Sequence, residues 1–136
     1  MSYVESAFLE LTKTHDCYAQ FEGVLNDESD FNKVKVRTNT LDTDGISYIY
    51  ANNISLLGFT WEDVVNKSSK LEAIAPLRAD IEQAKKLLAE TDWVVVKIAE
   101  MNLEGTDVSG QYLDILSHRK LMRELINLKE TEIANV

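Results

Sequence analysis

The chain has 136 residues, 45% hydrophobic and 27% charged, with 14 basic against 23 acidic side chains and a formal net charge of −9. A single cysteine, Cys17, excludes an internal disulfide framework and a cysteine-based structural zinc site. One proline and five glycines exclude collagen-like and Pro/Gly low-complexity classes, which leaves one globular domain or a small domain with a helical extension.

The first segment opens on Ser2-x-x-Glu5, the pattern of a helix capping box. Val4, Phe8, Leu11, His15 and Tyr18 follow at helical spacing, which predicts a helix over about 3–15. A strand over 17–25 is weakly patterned. Val34 and Val36 alternate with Lys33, Lys35 and Arg37, the period of a half-buried strand whose cations share one solvated face. Asp42-Thr43-Asp44-Gly45 supplies turn chemistry, and Ile46-Ser47-Tyr48-Ile49-Tyr50 is rich in strand-forming residues. These runs predict a hairpin of roughly 31–39 with 45–52, which needs a third strand or a helix over one face.

After Gly58 the pattern becomes helical. Thr60-Trp61-Glu62-Asp63 is an N-terminal cap signature, with Val64, Ser68, Leu71 and Ala75 as its stripe. Pro76 is expected to end or kink this helix. Leu77, Ile81, Ala84 and Leu88 then form an apolar seam. Thr91-Asp92 offers another cap before Trp93. Val94, Ile98 and Met101 favour a helix there, with a strand at 93–99 as the alternative. Gly105 and Gly110 bracket a polar loop before a last helix over about 110–131, where Ile115, Met122 and Ile126 join Leu121, Leu125 and Leu128 in a broad apolar face. The fold class expected is α+β: a small antiparallel β-hairpin or meander region with an N-terminal helix over 1–59, then a helical hairpin or short bundle over 60–136.

Motifs that carry chemistry are sparse. His15-Asp16-Cys17 clusters a base, a carboxylate and a nucleophile, but adjacent helical residues point about 100° apart. A partly buried cysteine at a helix end is the better reading. Asp42-x-Asp44-Gly45 resembles part of a calcium loop, yet alignment on Gly45 puts Ala51 where the bidentate glutamate belongs. Gly105 and Gly110 have the spacing of a phosphate-binding loop, but Gln111-Tyr112 follows where lysine and a hydroxyl residue are needed. The expectation is a non-enzyme without catalytic residues, cofactor or metal. The spread of negative charge argues against direct nucleic-acid binding. No apolar run approaches the length of a membrane span, and Met1–Glu5 lacks the features of a secretion signal.

Thr60–Val64, Leu71-Glu72-Ala73, Pro76-Leu77-Arg78, the run Lys86-Leu87-Leu88-Ala89-Glu90-Thr91-Asp92-Trp93, and Tyr112–Leu116 through Arg119 and Arg123 to Asn127 together resemble the C-terminal part of small bacteriophage proteins encoded beside tail-fibre genes. Many of these are called tail-fibre assembly proteins, and similar segments end some virion structural proteins. The resemblance spans about residues 60–130. It departs from the usual pattern where Val94-Val95-Val96-Lys97 continues without a proline.

The resemblance implies a protein that helps fold, assemble or attach a tail fibre in the host cytoplasm. The alternatives are an adaptor or decoration component of the mature virion and, less favoured, an acidic inhibitor of a host nuclease. Expected partners are a tail-fibre or other virion protein, with a homo-oligomer open as well. Candidate protein-binding residues are Trp61, Leu77, Ile81, Leu88, Trp93, Tyr112, Arg119 and Arg123. Helices with apolar seams need a folded head or further copies to pack against.

Overall fold

In a computed structural model describing residues 1–136, the chain is mixed α+β and divides into two compact units, Met1–Glu72 and Ala73–Val136. The expected division near residue 59 falls a few turns earlier. The first turns of the long helix explain the shift, because Val64 and Leu71 bury themselves within the first unit.

The first unit opens with α1 (Tyr3–Thr14). Its capping box is complete: the Ser2 hydroxyl accepts from the Glu5 amide at 3.1 Å, and the Glu5 carboxylate accepts from the Ser2 amide at 3.4 Å. The other Glu5 oxygen accepts from the Leu25 amide at 3.2 Å, so one cap side chain also anchors a distant loop. The strand expected over 17–25 is reduced to β1 (Ala19–Gln20). A short helix, α2 (Glu28–Phe31), occupies the start of the expected hairpin; the Asp27 carboxylate caps it by accepting from the Asp30 amide at 2.9 Å.

β2 (Lys35–Leu41) and β3 (Tyr48–Ala51) complete an antiparallel sheet in the order β1-β2-β3. Val36 pairs with Ala19 on one side and Ala51 on the other, while Arg37 pairs with Tyr50 and Leu41 with Tyr48. Four steps along β2 match two along β3, so a bulge lies on β2 between Arg37 and Leu41. At the hairpin tip the Asp44 carboxylate accepts from the Ile46 and Ser47 amides, each at 2.9 Å, and from the Ser47 hydroxyl at 2.8 Å. These three donors hold its pKa below the usual carboxylate value.

All four phenylalanines belong to this unit. Phe8 meets Phe21, Phe31 and Phe59 edge-on at 5.8, 6.2 and 5.7 Å between ring centres. Each such pair contributes about 0.5–1.5 kcal/mol beyond simple burial. Leu25, Val34, Val36, Leu57 and Val64 close the core around them. A 3₁₀ turn over Ile54–Leu57 leads to Gly58, whose φ of +79° is easy for glycine and strained for other residues.

α3 (Trp61–Leu103) is one continuous helix of 43 residues. Thr60 and Asp63 cap its start reciprocally: the Asp63 carboxylate accepts from the Thr60 amide at 2.9 Å, and the Thr60 hydroxyl from the Asp63 amide at 3.3 Å. Pro76 does not end the helix; it sits exposed within it. Its missing amide and ring clash cost about 3 kcal/mol, opposed by the burial of Leu71, Ile74 and Ile81 in the flanking turns. Thr91-Asp92 is likewise no cap. The Thr91 hydroxyl donates back to the Leu87 and Leu88 carbonyls at 3.1 and 3.2 Å, which accommodates a polar residue inside a helix. The strand alternative at 93–99 gives way to helix.

In the second unit, α3 from Ala73 onward pairs with α4 (Leu113–Ala134), which follows a 3₁₀ turn over Ser109–Tyr112.

Candidate protein-docking surface

The pairing within the second unit is antiparallel. Tyr112 approaches Lys97, Arg119 approaches Asp92, and Lys129 approaches Asp80, so partners on α3 step backward as α4 runs forward. Ile74, Ile81, Ala84 and Val94 are buried along α3, with Leu77, Leu88, Thr91, Ile98 and Met101 half-buried between them. The matching half-buried row on α4 is Ile115, Arg119, Met122, Ile126, Lys129 and Ile133, spaced 4, 3, 4, 3 and 4 residues apart.

Arg119 pins the register. Its Nη1 donates to the Leu88 carbonyl at 2.6 Å and to the Thr91 hydroxyl at 2.7 Å, and its Nη2 donates to the Asp92 carboxylate at 2.9 Å. Its side chain is 11% exposed, and Nε is buried without a partner. The guanidinium therefore binds helix to helix within the chain. Only the Asp92 end of this network lies in solvent, where screening weakens an ion pair.

This arrangement corrects part of the expected binding surface. Ile81 is buried, and Leu77 and Leu88 half-buried, on the same stripe of α3 as the residues that approach α4, which leaves them less surface for another protein than expected; Arg119 is committed internally as well. Trp61 belongs to the first unit, where its ring packs on Phe31 at 5.8 Å between centres. With Phe31, Ile54 and Phe59 it lines an open groove. Arg123 is exposed and joins none of the ion pairs.

What remains open is a different set of side chains. Trp93 is 55% exposed and stands edge-on to Tyr112 at 5.9 Å, with the Lys97 ammonium 5.7 Å from the Tyr112 ring centre. Leu113, Val96 and Leu103 are exposed near the same end of the hairpin. Along α4, Leu121 and Leu128 are 58% and 56% exposed, with Leu125 between them half-buried. Their 4,3 spacing forms a second stripe beside the seam, about 100° around the helix from it. The sequence had shown the breadth of this apolar face but not which part the hairpin would consume. Leu113 and Val96 carry no periodic signal that singles them out.

The remaining candidate clusters have other uses. His15 bonds through Nδ1 to the Leu11 carbonyl at 2.9 Å and packs on Phe59 at 5.2 Å. Burial pushes the Cys17 thiol pKa up, and the charge of Asp16 adds to this against an opposing backbone hydrogen bond. A raised pKa leaves less thiolate, the reverse of what activates a nucleophile. The Asp44 carboxylate is already engaged by its own turn.

No family model matches the chain, and no curated protein or solved structure matches it either.

Proposed function

We propose that the protein is a non-enzymatic docking factor that helps fold, assemble or attach a bacteriophage tail fibre in the host cytoplasm. The second unit supplies its protein-binding surface. The observation that carries this reading is the apolar set left over when the seam is filled: exposed Trp93 and Leu113 with half-buried Tyr112, and exposed Leu121 and Leu128 with half-buried Leu125 between them. Monomeric surfaces seldom leave large apolar side chains in such clusters, and tryptophan and tyrosine are enriched where partners bind. The tail-fibre context rests on the resemblance over residues 60–130.

The test is capture of the tail-fibre protein encoded beside this chain. Wild type retains it, and Trp93→Ala combined with Leu121→Ser loses retention while helix content stays unchanged. Capture that survives the double substitution, or no capture by wild type, defeats the proposal. A component kept in the mature virion would use the same surface permanently. Stoichiometric recovery of the chain from purified particles favours that second reading, and absence favours an assembly factor.

A further inference from the structure

β3 is one of the two outer strands of the sheet, and its open edge has specific chemistry. In an antiparallel ladder the N–H and C=O of one residue point to the same side, and successive residues alternate. The Ser47 carbonyl accepts from the Asp42 amide at 2.7 Å, the Ile49 carbonyl accepts from the Thr38 hydroxyl at 2.8 Å, and Ala51 lies opposite Val36. Ser47, Ile49 and Ala51 therefore face β2. Tyr48 and Tyr50 turn two N–H donors and two C=O acceptors outward, about 7 Å apart along the strand. Only an extended backbone matches that pattern.

Sheet edges left in solvent are usually guarded by lysine, proline, a bulge or a covering segment. Residues 46–51, Ile-Ser-Tyr-Ile-Tyr-Ala, contain no charge and no proline, and the bulge lies on β2 instead. Ile46, Tyr48, Ile49 and Tyr50 are all exposed.

We infer that β3 pairs with β3 of a second copy of this chain, antiparallel about a two-fold axis at Ile49. Tyr48-Ile49-Tyr50 reads the same in both directions. The axis thus sets Tyr48 opposite the partner's Tyr50, and Ile49 opposite the partner's Ile49. Four N–H···O=C bonds form, and two three-stranded sheets become one. The side chains agree with this pairing. Arg37 stacks on Tyr18 at 4.0 Å and on Tyr48 at 4.7 Å, and the axis continues this aromatic–cation row into its symmetry mate.

Net charge does not oppose the contact locally. No charged side chain lies between Ile46 and Asn53. The nearest acid, Asp42, stands one strand away opposite Ser47, two residues from the axis, so it and its counterpart lie about 20 Å apart. Screening at physiological salt acts over about 8 Å.

Sedimentation velocity on the full chain at rising concentration tests the pairing, together with amide exchange at Tyr48 and Tyr50. Wild type is expected to pass from monomer to dimer, with both amides slowing as it does. Ile49→Lys sets two ammonium groups opposite each other. Tyr48→Pro removes an outward N–H and no rung to β2. Each raises the dimer dissociation constant about tenfold or more, with far-ultraviolet circular dichroism unchanged as the control for folding. A wild type that stays monomeric at its solubility limit overturns the inference. So does a dimer whose Tyr48 and Tyr50 amides exchange freely, or one that both substitutions leave intact.

Discussion

The two units solve the burial problem differently. The first gathers side chains from α1, the loop before α2, α2, β2, the 3₁₀ turn and the start of α3 around four phenylalanines. Such a core encloses its rings on several sides. The second unit has two helices, and two helices can bury only one stripe each. Its core is a single row, and apolar residues beyond that row stay in solvent. In the first unit the exposed Ile46, Tyr48, Ile49 and Tyr50 lie on or beside the sheet edge, apart from this core, whereas in the two-helix hairpin the exposed apolar residues flank the seam itself.

Substitutions in the two cores sharpen this contrast. Ile81→Asp buries an unpaired carboxylate in the one-row seam, and the expected cost is about 4 kcal/mol or more. For a pairing this thin, that separates α4 from α3; far-ultraviolet circular dichroism and loss of Arg119 contacts by NMR read it. Phe8→Ala opens a cavity in the first unit at about 3–5 kcal/mol, measured by urea denaturation followed through aromatic signals. A loss below about 1 kcal/mol there would show that the phenylalanine cluster does not hold the unit together.

A smaller effect separates the two arginines of the last helix. Arg119→Met is expected to destabilise the hairpin by about 2 kcal/mol, because hydrogen bonds to a charged group are lost between the helices. Arg123→Met should stay within about 0.5 kcal/mol, as for other exposed substitutions. Thermal unfolding of both variants beside wild type checks the difference. Equal effects would deny Arg119 its role in setting register.

The smallest expected effect is a pH response at the hairpin tip. The Asp44 carboxyl is held below the usual carboxylate range by the Ile46 and Ser47 amides and the Ser47 hydroxyl. Its stabilisation of the turn is complete above the ordinary aspartate range and is lost as pH falls through the depressed folded value. An NMR titration should show the Ile46 and Ser47 amides shifting at lower pH than an ordinary aspartate titrates. Ser47→Ala moves that midpoint upward.

The sequence displayed what depends on local chemistry. Ser2-x-x-Glu5 and Thr60-x-x-Asp63 announced both helix starts, and Asp42–Gly45 marked the turn. Each acts through side chains bonding to nearby backbone. Of the two outcomes expected at Pro76, an end to the helix does not occur, because local propensity yields to burial on either side of it. α2 escaped notice because four residues carry no periodicity; only the Asp27-to-Asp30 spacing hinted at its cap. The proposed docking residues are half visible in the sequence. Trp93 and Tyr112 stand out by type, but nothing in the pattern separates them from Ile81, which is buried, or Leu88, which is half-buried. Periodicity shows that a face is apolar and does not say which neighbour occupies it.

The central claim is that the uncovered apolar set of the second unit meets a partner protein. Amide-exchange footprinting of the full chain, with and without the tail-fibre protein, tests it most directly. The account predicts slowed exchange over α4 around Leu121–Leu128 and in the turn at Tyr112–Leu113, together with quenched or shifted Trp93 fluorescence. Unchanged exchange across those residues in a mixture where the fibre protein is demonstrably bound would contradict it.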